Sequence, residues 1–286
     1  MLWRGNRESD NVEDARGSGG GGGLAVGGGL GALVIGLIAM LLGRNPGEVL
    51  SNINGNSNNQ TYQQAPAAQN NGQEDEGKAF VRTVLASTED VWKAQFSAMG
   101  RNYIEPKLKL FTDYTNSGCG QADKQVGPFY CPVDSKVYLD LSFFNELKDR
   151  FNAGGDFANA YVIAHEIGHH VQNLLGTSDK VHNLQERSSQ AVANKYSVAL
   201  ELQADFYAGV WAHHSQKLKN MIESGDIESA MNTAAAIGDD KLQMQSQGYV
   251  RPDAFTHGTS AQRVAWFKKG YETGDIRQGD TFGGAL

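Results

Sequence analysis

The chain has 286 residues, with 25 Lys and Arg against 32 Asp and Glu and a formal net charge of −7. That length allows one domain of roughly 200 residues with appendages, large enough to bury a core. The acidic balance, with no basic patch to reverse it, argues against a nucleic-acid partner, because phosphate binding concentrates positive charge.

Residues 1–23 precede an uncharged 20-residue run, 24–43. A helix rising about 1.5 Å per residue makes this run long enough for a hydrocarbon core of about 30 Å, so it reads as a single transmembrane helix. The apolar stretch is too long for a typical signal-peptide core and no small-x-small cleavage site follows it, which favours a retained anchor. Arg4, Arg7 and Arg16 precede the run and only Arg44 follows closely. The positive-inside bias then places residues 1–23 in the cytoplasm and the bulk of the chain in the periplasm of a bacterium, held by its inner membrane. Residues 44–77 hold thirteen Asn or Gln and few large apolar side chains, the composition of a disordered tether. The folded domain is expected over 78–286.

Within that domain, Thr88 is placed to cap a helix running to Met99. Lys107–Phe111 and Lys136–Leu141 alternate polar and apolar residues and read as strands. Val137–Leu141 is expected to be an edge that pairs with substrate main chain, or else a plain core strand. Cys119 and Cys131, the only cysteines, lie in the turn-rich stretch between these strands. An oxidising compartment would allow a disulfide there, and free buried thiols are the alternative. Beyond Asn145 the pattern is helical. Asp156 heads a buried helix that Gly176 stops, and helical stretches follow over 181–214, 226–245 and 260–270. The class is α+β with helices dominant and a small sheet.

The buried helix from Asp156 carries His165-Glu166-Ile167-Gly168-His169. Residues i and i+4 of a helix lie about 40° apart around the axis and about 6 Å along it, so both imidazoles can grip one zinc ion. Glu166 between them is placed as the base of a metal-assisted hydrolysis. A catalytic zinc needs a third protein ligand, which Glu201 of the Glu201-Leu-Gln-Ala-Asp205 helix segment can supply. Asp205, one turn on, can hold the far ring nitrogen of a ligand histidine. His170 points away from His169, and His182, His213 and His214 have no spacing to the zinc set. Further along, His257 could donate to the oxyanion of a tetrahedral intermediate, and Arg263 could brace Glu201 or the substrate carbonyl. The plainer reading is that Thr256 or Thr259 caps the helix carrying Arg263 and leaves His257 exposed.

These residues, together with Arg7–Asp14, Gly127–Pro132, Val137–Phe143 and His257–Ser260, make the chain similar to the bacterial neutral zinc metallopeptidase family over nearly its whole length, apart from about 17–77. The resemblance implies a zincin-like fold with two histidines and a glutamate holding one zinc per chain. A more distant likeness is to membrane zinc peptidases of the prenyl-protein-processing and heat-shock type. In those the third ligand also opens an E-x-x-x-D helix, and a histidine followed six residues later by arginine lies near the active site. His257 and Arg263 have that separation, with Gly258 where a proline is usual. The expectation is therefore a membrane-anchored zinc metalloendopeptidase acting on peptide or unfolded protein. Two alternatives use the same residues: an envelope zinc-binding module that does not cleave, and an amidase on cell-wall peptides. No feature assigns an oligomeric state.

Overall fold

The computed structural model describes residues 1–17 and 75–285. The expected membrane run 24–43, and the tether but for its last residues, lie outside the described residues. Among those described, no helix is long and apolar enough to cross a membrane.

Helix α1 spans Glu76–Ala98, and the Asp75 side chain caps it by accepting from the Gly77 and Lys78 N–H groups. Thr88 is therefore not a cap. It lies buried in mid-helix, its hydroxyl donating 2.7 Å back to the Leu85 carbonyl. The helix continues upstream because Ala79, Phe80, Val81, Val84 and Leu85 carry the buried face through to Val91 and Trp92.

Strands β1 (Val12–Asp14), β2 (Lys107–Phe111), β5 (Phe129–Cys131) and β6 (Lys136–Asp140) form one sheet in the order β1-β2-β6-β5. The first three in that order run parallel and β5 is antiparallel to β6. Strand β6 is thus interior, with Val137 opposite Leu108 on one side and Tyr138 opposite Phe129 on the other. The expectation that Val137–Leu141 forms a substrate-pairing edge is overturned, because both its hydrogen-bonding edges are taken. The free edge on that side is β5, which Pro128 and Pro132 flank without N–H groups to donate. Strands β3 (Tyr114–Ser117) and β4 (Gly120–Asp123) make a separate hairpin. Beneath it, Cys119 is disulfide-bonded to Cys131 and packs with Phe111, Val126, Phe129 and Tyr138 in a small second core.

Seven helices follow: α2 (Ser142–Phe151), α3 (Asp156–Leu175), α4 (Thr177–Gln185), α5 (Gln190–Lys219), α6 (Asp226–Ala236), α7 (Asp239–Gln247) and α8 (Ser260–Thr273). The molecule is mostly helical with a small sheet. Gly155 rather than Asp156 precedes α3, and Gly176 ends it in a left-handed conformation. The stretch 181–214 belongs to two helices, and 226–245 is broken at Gly238, where a Cβ would sit 2.4 Å from the Ser260 nitrogen. Thr259 caps α8 in a reciprocal capping box with Gln262.

Residues 1–17 are packed into this domain. Trp3 is buried edge-on against Phe80, and its indole N–H donates to Asp156 at the head of α3. Arg7 pairs with Glu89 and Asp90 of α1, while the buried Ser9 hydroxyl donates to Glu89. Ion pairs of Arg16 with Asp75 and of Lys78 with Asp14 set the end of this arm beside the start of α1.

Close helix crossings depend on glycine. A Cβ on Gly209 of α5 would lie 2.1 Å from the Phe267 carbonyl oxygen of α8, and one on Gly270 would lie 2.0 Å from the Phe206 carbonyl oxygen. These backbones touch, so an added methyl must push the helices apart. Gly209→Ala is expected to destabilise the chain by about 3 kcal/mol, a fall in Tm of roughly 10 °C in calorimetry. A variant with an unchanged Tm would show that this contact is not as close as described.

Candidate metal centre and active site

Helix α3 crosses α5 at Gly168, where a Cβ would meet the Ala204 backbone at 2.9 Å. The glycine inside the histidine motif is what lets the two helices approach, and it brings both histidines against Glu201. The Nε2 of His165 lies 3.1 Å from one Glu201 carboxylate oxygen, and the Nε2 of His169 lies 3.4 Å from the other. A tetrahedral zinc with bonds of about 2.0–2.1 Å sets its ligand atoms about 3.3 Å apart. The ligand atoms of His165, His169 and Glu201 all lie within 4.8 Å of one another. The donor set, two imidazoles and a carboxylate, fits a zinc with an open position. Burial opposes the charge on Glu201, but the facing histidines hold its carboxyl well below the usual carboxylate range.

Each ligand histidine is held by its other nitrogen. His165 Nδ1 lies 2.8 Å from an Asp205 oxygen. Burial works against the ionised Asp205, yet Arg263 and His165 bring its carboxyl down to about 2, so the carboxylate accepts and the ring nitrogen donates. His169 Nδ1 lies 2.9 Å from the Gln172 amide oxygen, and the Gln172 amide nitrogen is committed to the Leu200 carbonyl. Both rings are thereby oriented with Nε2 toward the metal position.

Arg263 does not brace Glu201 or reach the cleft. It is 1 % exposed and grips Asp205, with Nε 2.8 Å from one oxygen and an Nη 3.0 Å from the other. Its action on the metal set runs through Asp205 and His165. The Tyr161 hydroxyl also donates to Asp205.

Glu166 is 8 % exposed and is not among the metal-holding residues. Burial raises its carboxyl above the ordinary range, against the pull of His169 and His165, and the backbone N–H of Tyr130 in β5 bears on it. His257 is not exposed as the capping reading held; it is 1 % exposed and bears electrostatically on Glu201. Its Nδ1 meets Asp239 at 3.1 Å, while its Nε2 is buried without a hydrogen-bond partner among the described residues. His170 is a structural anchor, bonded to the Tyr130 hydroxyl and the Ile104 carbonyl, and burial holds its ring down at about 4. His182, His213 and His214 bond to Glu186, Tyr271 and Gly274, away from the metal set.

Three participants escape the sequence reading. Tyr161 precedes His165 by one helical turn and Gln172 follows His169 by three residues, so a search along the same helix face could have found them. Asp239 carries no such signal, since its neighbours in space arrive from a different helix and loop.

The geometry agrees with what comparison finds. The family model described as "Putative neutral zinc metallopeptidase" matches residues 1–282. The chain is 47 % identical over 291 residues to YpfJ, an uncharacterized protein of Escherichia coli strain K12, with all of both chains covered. It is 41 % identical over 257 residues to an uncharacterized protein of Mycobacterium bovis, covering 86 % of each. No solved structure matches. With the match spanning nearly the whole sequence and a donor set that suits zinc at its centre, this chain belongs to the neutral zinc metallopeptidase family.

Proposed function

We propose that the chain is a zincin-like zinc metalloendopeptidase that hydrolyses exposed or unfolded peptide at a bacterial membrane. The observation that carries this reading is Glu166. It is a buried carboxyl within the fields of His165, His169 and Glu201, it does not hold the metal, and it lies against the backbone of edge strand β5. A residue so placed has a chemical use as a base and little use in a site that only binds.

Bound zinc would supply Lewis acidity, bringing the pKa of a water toward neutrality and polarising the scissile carbonyl. Glu166 takes a proton from the attacking water as the C–O bond forms. It returns that proton to the amide nitrogen as the C–N bond breaks, so its own state is restored. His257 offers Nε2 to the carbonyl oxygen as that atom gains charge. An extended substrate lies along the β5 edge. Because Pro128 and Pro132 withhold donors, its main-chain grip is short, and accessibility of the peptide governs cleavage more than its sequence.

The test uses the full chain in detergent with an unstructured protein, with zinc or with chelator, and fragments read by mass spectrometry. Cuts that vanish with chelator support the reading. One bound zinc without cuts would move it to a non-cleaving zinc module, and cuts confined to cell-wall peptide amides would mark an amidase.

The run 24–43 holds the domain at the membrane, and the Cys119–Cys131 bridge supports a periplasmic setting for the domain. The docked arm bears on which side the N-terminus lies. Val12–Asp14 can pair with β2 only when residues 1–17 share the domain's side of the membrane. Undocking would leave Trp3 without its pocket and the buried Glu89 without Arg7 and Ser9. On this reading the N-terminus lies with the domain, and the single crossing by 24–43 with a cytoplasmic N-terminus that the arginine bias favours does not fit the docked arm. Asp10 has a fully exposed side chain. Asp10→Cys in spheroplasts is expected to react with a membrane-impermeant maleimide; labelling only after lysis would place the arm in the cytoplasm and overturn this reading.

A further inference from the structure

One carboxylate organises the loop that carries His257. Asp239, the first residue of α7, is 3 % exposed. Its Oδ2 accepts from three successive backbone N–H groups: Thr256 at 2.7 Å, His257 at 2.6 Å and Gly258 at 3.0 Å. Its Oδ1 lies 3.1 Å from His257 Nδ1, and its own N–H donates 2.9 Å to the Gly258 carbonyl. The Thr256 hydroxyl, 3.1 Å away, is the other group at that ring nitrogen. Burial penalises the charge on Asp239, but His257 and the backbone donors hold its carboxyl below the ordinary range, so Asp239 is an acceptor.

An acceptor at Oδ1 requires the proton on Nδ1, and this leaves Nε2 as the ring's working atom. That atom is buried and has no hydrogen-bond partner among the described residues. A buried ring nitrogen without a partner is costly unless something supplies one during function. With Nδ1–H committed to Asp239, a second proton on Nε2 makes the ring a cation whose counter-charge is that same carboxylate. Such a ring donates to a developing oxyanion more strongly than a neutral one.

We propose that Asp239 is a positioning residue for hydrolysis: its carboxylate clamps Thr256–Gly258, holds the proton on His257 Nδ1 and is the countercharge of the ring when Nε2 also carries a proton and donates to the carbonyl oxygen that becomes negative. No proton is transferred to or from Asp239. The proposal rests on the peptidase reading above, and its test is built so that the two fail separately.

Asp239→Asn keeps an oxygen for the backbone donors but turns an amide N–H toward Nδ1, which drives the ring to its other neutral tautomer. In the zinc-loaded full chain, kcat is expected to fall about 10- to 100-fold with KM within twofold and zinc still stoichiometric. In a His257→Ala background, the same substitution is expected to change kcat no further, since its effect passes through that ring. An equal fall in both backgrounds would reduce Asp239 to a loop brace and overturn the proposal.

The second readout needs no activity. In 15N-histidine-labelled chain, long-range 1H–15N spectra should show His257 protonated at Nδ1 in the wild type and at Nε2 only in Asp239→Asn. A wild-type ring without a proton on Nδ1 overturns the proposal, and this spectrum decides alone if the variant does not fold. Absence of cleavage by zinc-loaded wild type would instead count against the peptidase reading and leave the ring assignment to the spectrum.

Discussion

Glu166→Gln is expected to lower peptide cleavage by about 10⁴-fold while zinc stays bound, because the amide preserves shape and removes the base. His165, His169 and Glu201 hold the metal without Glu166, so metal content by elemental analysis should match the wild type. Stability should move the other way. The Glu166 carboxyl is raised by burial in the metal-free chain, so the folded state binds its proton more tightly than the unfolded state. That gain is present at low pH and is lost as pH rises through the raised value; at neutral pH the ionised side chain is a cost to folding. The uncharged amide removes the cost, and the metal-free variant should melt at the same temperature or higher. A protein that keeps a destabilising buried carboxylate keeps it for chemistry. Cleavage within tenfold of wild type would end the assignment of Glu166 as base.

Asp205→Ala is expected to cause the largest loss of stability of any single change near the site. Asp205 is fully buried and is the common partner of His165, Arg263 and Tyr161. Removing it leaves the Arg263 guanidinium, itself 1 % exposed, without its countercharge. Breaking a buried pair from one side costs about 3–5 kcal/mol, a fall in Tm of roughly 10 °C or more for a domain of this size. Zinc affinity should fall about 10- to 100-fold, because His165 loses the bond that fixes its tautomer. A double variant, Asp205→Ala with Arg263→Met, should regain part of the stability and none of the affinity, which separates the two effects. The pH dependence has a defined sign. Asp205 sits at about 2, below its ordinary 3.8, so its contribution is present above pH 4 and is lost as pH falls toward 2. An Asp205→Ala chain with wild-type Tm and zinc affinity would show that the buried cluster is not coupled to the metal set.

Much of the metal centre is local and was therefore legible in the sequence. His165, Glu166 and His169 occupy one helix, and helical geometry alone dictates that residues four apart share a face. Glu201 and Asp205 repeat that logic on a second helix, so once the first motif demands a third ligand the second segment is a natural source. The helix stop at Gly176 and the cap at Thr259 were equally readable, because caps are made by residues within a turn of the end.

The tertiary structure decided everything that depends on which distant elements meet. Arg263 bonds Asp205 across 58 residues because Gly209 and Gly270 let α5 and α8 touch, and no spacing rule encodes that contact. Alternation marked 136–140 as a strand, but whether it is an edge depends on neighbours at β2 and β5 supplied from elsewhere in the chain. Residues 1–17 carry too little apolar surface to announce a fold of their own. They become structure by adding a strand to a sheet edge and burying Trp3 and Ser9 against α1. Asp239 acquires a role only when the loop at 256–258 wraps its carboxylate. A side chain's chemistry and its reach along one helix are properties of local sequence; its partners across the core are set by the collective closure of the fold.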